Sequence, residues 1–253
     1  METGYPEPYI DLAQILLYVF WGFFFYLIYW LNKEGKREGF PLEDDVGSGS
    51  TNGFVGLPKT KTFLLPDGRT MDAPRLTEEP PLNATRQYPY VGSAYVPHGD
   101  GMGQGVGPGA WAMRADVPDQ MFDGTPRLQP LRILTDFHVV DRDPNPIGKS
   151  VVGADGESGG TITDVWADRA EHLLRYYEFE KTDGGKALLP VNFTQIKKKD
   201  GPVIVNSIMG RHFADVPATK DPDQVTLLEE DQISGFYGGG YLYADPKRQE
   251  PVV

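Results

Sequence analysis

The chain contains no cysteine. That excludes disulfides, thiolate metal centres and cysteine nucleophiles. Histidine is scarce: His98, His138, His172 and His212 are the whole set. No two have helical metal-ligand spacing and none lies in an H-E-x-x-H pattern, so only a metal site assembled in space stays open. Basic residues are in deficit, 24 Lys and Arg against 36 Asp and Glu, a formal charge of −12. Phosphate backbones require clustered cations, so nucleic acid is not an expected partner. A G-x-S-x-G elbow and a Walker loop are missing too. The run GDGMGQGVGPG (residues 99–109) is rich in glycine, but Pro97 precedes it, Pro108 interrupts it and no apolar strand leads in. It reads as an irregular loop, not a dinucleotide cradle. No independent active site is visible, and the expectation is a protein that is not an enzyme.

One long apolar run is present. Residues 12–31, LAQILLYVFWGFFFYLIYWL, carry no charge and one amide, Gln14. About 20 helical residues rise roughly 30 Å, the thickness of a bilayer's hydrocarbon core. Tyr26, Tyr29 and Trp30 stand near its C-terminal end, where an interfacial aromatic belt belongs. A signal peptide would need a cationic start, a shorter core and a small-residue cleavage site, and METGYPEPYID is acidic. A helix in a soluble core is the other competing reading. The expectation is a transmembrane helix over 12–32 with a short tail, 1–11. Glu2, Glu7 and Asp11 precede the span; Lys33, Lys36 and Arg37 follow it. Positive charge marks the cytoplasmic side, so the N-terminus is expected in the periplasm and the remainder in the cytoplasm.

Gly and Pro together make about a fifth of the chain, which favours turns over a helical bundle. Residues 33–109 read as an extended, partly irregular segment. A charged exit leads into a Gly/Ser linker, and Asp67-Gly68 signals a hairpin between short strands. Over 74–110 periodicity is low, and Tyr88, Tyr90 and Tyr95 suggest a segment laid on a partner's surface. From about residue 130, short apolar runs alternate with turn signals every 8 to 12 residues, beginning with PLRILTDFHVV. That spacing predicts a small antiparallel barrel or sandwich within a domain over 110–253. Lys197-Lys198-Lys199 with Asp200-Gly201 fits a charged hairpin end. Helices are expected near 207–214 and after Thr226, an N-cap followed by early acids.

The densest chemistry lies in Asp164, Asp168, Glu171, Glu178 and Glu180, with Arg169, His172 and Arg175 among them. As a helix this stretch would gain a Glu171–Arg175 pair of a few tenths of a kcal/mol. As strand–turn–strand, residues 168–171 would turn and their carboxylates would gather at one end of a barrel. A carboxyl near like charge, or partly desolvated, has a raised pKa and can carry protons near neutral pH. A merely solvated acidic turn is the equal alternative.

Long stretches resemble the H subunit of the purple-bacterial photosynthetic reaction centre: IDLAQILLYVFW, KREGFPLE, LPKTKTFLLPDG, VGPGAW, NPIGKSVVGADG, GTITDVWADRAEHLLRYYEFE, FADVP and QVTLLEEDQISGFYGGGYLYADPKR. Residues 77–105 and 112–128 match least. The resemblance implies a mainly β protein: one N-terminal transmembrane helix, then a cytoplasmic PRC-barrel with short helices. It implies partners, the L and M subunits, whose cytoplasmic face this chain would cap, and membrane lipids; a light-harvesting antenna and a cytochrome subunit are further neighbours it suggests. The location would be the bacterial inner (intracytoplasmic) membrane. The chain itself would bind no cofactor, while the parent complex would hold bacteriochlorophyll, bacteriopheophytin, quinones, a non-haem iron and a carotenoid. The family's proton-conducting glutamate falls on Glu171. Asp168 and Arg175 fall on positions of the same cluster, and Asp123 on an acidic position where protons enter. Two histidines that follow in some members are Thr125 and Pro126 here, so neither their metal site nor their proton donors carry over. A membrane-anchored barrel acting as an assembly or adaptor protein is the alternative.

Overall fold

The structure, a computed structural model, describes residues 11–43, 50–66, 68–75, 82–90 and 92–249. Glu2, Glu7, most of the Gly/Ser linker and Asp67 of the expected hairpin lie outside them. Contacts divide the chain into two compact units, Met1–Pro81 with Gln87–Ala94, and Leu82–Arg86 with Tyr95–Val253.

In the first unit, helix α1 spans Leu12–Glu34. Asp11 starts it by accepting the Ala13 N–H (2.9 Å). None of its residues is buried, and Phe20, Trp21, Phe24 and Phe25 pack ring against ring along its surface. A helix apolar on every side and covered by nothing among the described residues of its unit belongs in an apolar solvent. It is long enough and apolar enough to cross a membrane. The cations that follow are anchored locally. Arg37 pairs with Glu34 (2.6 Å) and donates to the Lys59 and Ala73 carbonyls; Lys36 is buried and donates to the Asn52 carbonyl. Short strands β1 (Leu42–Glu43) and β2 (Ser50–Thr51) pair, as do β3 (Lys61–Leu64) and β4 (Thr70–Ala73). Gly68 turns the second hairpin with φ +82°.

The second unit begins with the β5 (Ala84–Arg86) and β6 (Tyr95–Pro97) pair. Its body is a sheet of β7 (Leu128–Pro130), β8 (Ser150–Val152), β9 (Ser158–Asp168), β10 (Leu173–Lys181), β11 (Lys186–Pro190), β12 (Thr194–Gln195) and β13 (Val203–Val205). The order is β11-β10-β9-β8-β13-β12, and β7 pairs with the far end of β9. Strand β9 is thus the spine: β10 takes one edge, and β8 and β7 share the other. One pair departs from the antiparallel expectation, since β13 runs parallel to β8. The Lys197–Lys199 segment does close a hairpin, between β12 and β13.

The apolar run 130–140 forms no strand beyond Pro130. The Ile133 and Leu134 amides fold back on the Pro130 carbonyl, giving turns. Ile133 and Val140 remain exposed, because no neighbouring strand is left to pair with them. Val151, Ile162, Val165, Trp166, Phe179, Leu188, Leu189 and Ile208 fill the core with helix residues Ile233 and Tyr237. Each such side chain contributes roughly 1.5–3 kcal/mol by leaving water. Gly159 lies so close to Phe213 that an added Cβ would sit 2.0 Å from its ring. Gly159→Ala is therefore expected to lower stability by about 1–3 kcal/mol, read as an earlier melting midpoint.

Helix α2 (Leu227–Tyr243) starts where expected. Thr226 accepts the Glu229 N–H (3.2 Å), and Glu229 accepts the Thr226 N–H (2.9 Å), a full capping box. Thr226→Ala should cost about 1 kcal/mol in denaturant titration. The glycine run at 99–109 also finds its purpose here. A Cβ on Gly235 would meet the Gly109 carbonyl at 2.9 Å, and one on Gly239 the Gly109 Cα at 3.1 Å. The run is a backbone seat for α2.

Candidate functional site

Strand β9 ends at Asp168 and β10 starts at Leu173, so the acidic stretch is strand–turn–strand and not helix. Asp168 builds the turn itself. Its Oδ1 accepts the backbone N–H of Ala170 (2.9 Å) and Glu171 (3.0 Å), and its carbonyl accepts that of His172 (2.8 Å). His172 closes the turn at φ +55°, rare for a residue with a Cβ, and its ring stacks on Phe137 at 5.3 Å.

Pairing with β7 brings in Arg127, the residue just before that strand. Its Nε lies 3.0 and 3.1 Å from the two Asp168 oxygens. Its Nη2 reaches Asp168 (2.8 Å) and Glu171 Oε1 (2.7 Å), and its Nη1 reaches Asp119 (3.3 Å). Arg175, at the start of β10, donates to Asp168 (3.4 Å) and to Glu171 Oε2 (3.1 Å). Glu171 is therefore held between two guanidiniums, one on each oxygen. Asp168 is buried, with 1% exposure, whereas the Glu171 side chain is 48% exposed.

Asp168, Glu171 and Arg175 are thus in direct contact. Asp123 is not among their partners. It accepts the Thr125 amide (3.0 Å) and hydroxyl (2.5 Å), and that hydroxyl accepts from Arg169 (2.7 Å), the residue after Asp168. Thr125 links Asp123 to the turn.

Burial alone would raise the Asp168 pKa, but the Arg127 hydrogen bonds and the two turn amides outweigh it and hold the carboxyl below its usual range. The raised pKa expected for carboxyls here does not apply to Asp168. Its stabilising contribution is full above the ordinary Asp value near 3.9 and is lost as pH falls through the lower folded value. Asp168→Asn should therefore flatten the acid limb of the stability-versus-pH curve and lower stability at neutral pH. Asp123 is also lowered, chiefly by the Thr125 hydroxyl and amide.

A second charged cluster lies farther along the same strands. Arg132 Nη1 bonds Glu178 (2.7 Å) and Asp164 (2.9 Å), its Nη2 bonds Asp223 (2.8 Å), and its guanidinium stands 6.0 Å from the Trp166 ring. Glu178 also accepts from Lys186 (2.6 Å) and from the Trp166 indole N–H (3.1 Å). Glu178 and Asp164 are buried. For Glu178, burial is outweighed by Lys186 and Arg132, and its pKa falls. Neither Arg127 nor Arg132 stands out in the sequence, because neither lies near its partners along the chain. Arg127 lies 41 residues from Asp168, and only the β7–β9 register brings them together.

A strand-rich unit whose spine strand gathers a charged turn at one end defines a class of protein, and residues 138–211 match the PRC-barrel domain. Residues 6–133, just over half of the chain, match the photosynthetic reaction centre H-chain N-terminal region. The chain belongs to the photosynthetic reaction centre H-chain family. That family is a structural component of the reaction centre, associated with the L and M subunits, and the exposed apolar helix fits membrane anchoring.

Proposed function

We propose that this chain caps the cytoplasmic face of the L and M subunits, shields the quinone region from water and conducts protons toward the secondary quinone. The observation that supports proton conduction is the placing of Glu171. It is half-exposed at the end of the sheet, with a guanidinium on each oxygen. Two fixed cations hold such a carboxylate in one position. When a partner beside it gains an electron, such a carboxylate takes up a proton from the cytoplasmic side and regains its charge by passing that proton to the reduced partner. Asp168 has a different task. Buried and ionised, it balances Arg127 and fixes the turn. Arg175 holds the second Glu171 oxygen, and Asp123 is the outer acceptor, linked through Thr125 and Arg169.

In this reading α1 is the single membrane pass, with its N-terminus periplasmic and the sheet cytoplasmic. Bacteriochlorophyll, bacteriopheophytin, quinones, the non-haem iron and the carotenoid belong to the partners; an antenna and a cytochrome subunit are outer neighbours. Affinity purification of the tagged chain from detergent-solubilised membranes tests the assignment. L and M subunits should co-purify with near-infrared pigment absorbance. Recovery free of pigment and of both subunits would instead favour an adaptor role.

A further inference from the structure

The hairpin of β3 and β4 belongs to the same compact unit as α1, and its base is tied to the end of that helix. Arg37 pairs with Glu34, the last residue of α1, at 2.6 Å. The same guanidinium donates to the Lys59 carbonyl at 2.7 Å and to the Ala73 carbonyl at 3.0 Å. Lys61 Nζ also reaches Glu34, at 3.0 Å. Lys61 and Ala73 form the first cross-strand pair, so the hairpin starts where α1 stops. Its register gives it two unlike faces. Side chains alternate along a strand, so Lys61 and Phe63 share one face with their partners Ala73 and Met71. Thr62, Leu64, Thr70 and Asp72 make the other, where the Thr62 hydroxyl donates to Asp72 at 2.6 Å. Leu64 is the one large apolar side chain on that polar face. The face through which Lys61 reaches Glu34 is turned toward the end of α1, and Phe63 and Met71 stand on it, both exposed. A lone two-stranded ribbon is marginal in water and needs one face covered. Among the described residues nothing buries Phe63 or Met71.

We propose that the Phe63–Met71 face of this hairpin lies on the headgroup layer of the membrane that α1 crosses, as a second contact with lipid beside the helix. The occupant follows from continuity. A hairpin pinned by Arg37 and Lys61 to the last residue of α1 is held at the depth where that helix leaves the membrane. The charges around its base suit anionic phospholipid. Lys33, in the last turn of α1, stands over the Tyr29 ring at 5.7 Å, and Lys59 and Lys61 are exposed. Ammonium groups there meet lipid phosphates, while Phe63 and Met71 cover the boundary between headgroups and acyl chains. The Thr62–Asp72 face is left to water. Arg37 is the positioning residue, because it joins the helix end to both strands. This inference rests on the reading of α1 as the membrane span.

The test uses the full-length chain in the complex with which it purifies, placed in vesicles of phosphatidylglycerol and phosphatidylcholine in equal parts. A small share of the phosphatidylglycerol carries a photoactivatable diazirine next to its headgroup. After illumination, mass spectrometry of the peptides should find lipid on α1 and on the hairpin, residues 61–73. The charged hairpin at Lys197–Lys199 serves as the water-facing control. The double variant F63S/M71S should lower labelling of the 61–73 peptide by on the order of tenfold, with labelling of α1 unchanged. A benzophenone amino acid in place of Phe63 then identifies the neighbour. A lipid adduct upholds the inference, and an adduct with the L or M subunit overturns it. Wild-type labelling needs no substitution, so a variant that fails to fold does not remove the test. If α1 is labelled and the 61–73 peptide takes up no more lipid than Lys197–Lys199, the inference fails and the membrane-span reading stands. If α1 is not labelled either, the span reading fails and the inference falls with it.

Discussion

Glu171→Gln is expected to slow proton-coupled transfer of the second electron to the secondary quinone by on the order of a hundredfold at neutral pH, the low end of what a positioned acid–base group contributes. Glutamine keeps the length of the side chain, and its carbonyl can still accept from Arg127 or Arg175, so the turn should survive. What it loses is the capacity to bind and release a proton. First-electron transfer, which needs no proton, should change little, and that contrast separates a relay from a structural defect. Asp168→Asn makes a useful comparison. Asp168 holds the turn through two amides and a bidentate Arg127. Its loss should weaken folding as well as transfer.

The second large effect falls on Arg132. Arg132→Ala leaves Asp164 without its guanidinium partner and leaves Glu178 with Lys186, Trp166 and Thr163. Breaking a buried ion network by removing one member costs roughly 3–5 kcal/mol, because an uncompensated buried charge remains. It also frees the loop at Pro222 and Asp223 that Arg132 ties to the sheet. For the full-length chain in detergent, the melting transition, followed by the near-ultraviolet circular dichroism of the aromatic core, should fall by about 10 °C or more. Arg132→Lys should rescue only part, since an ammonium cannot fork to Glu178, Asp164 and Asp223 together.

Several features were open to reading in the sequence because local chemistry decides them. An uncharged run of 20 residues has one structural outcome in an apolar solvent, and α1 follows it almost to the residue. Thr226 and Glu229 announce α2 because a capping box is a contact between residues three apart. The turn after Asp168 is likewise local. Other features depend on register. Leu131 to Val140 looks like a strand by composition, yet its backbone pairing with β9 ends at the Leu131 N–H on the Val165 carbonyl. The alternation in YYEFE fails as a guide to burial, since Tyr176, Tyr177, Glu178 and Phe179 are all buried where the sheet is covered on both sides. The Glu171 cluster was therefore visible only in half. Its acids sit within one turn, but Arg127 and Asp119 arrive through long-range pairing.

The central claim is that Glu171 stands on a water path between the cytoplasm and the quinone of the assembled complex. A structure of the purified complex at a resolution that shows ordered water tests this most directly. The account predicts a continuous hydrogen-bonded chain of waters and side chains from the Glu171 carboxylate into the secondary quinone pocket. A Glu171 that faces bulk solvent away from L and M, or is walled off from the pocket by packed apolar side chains, would contradict it.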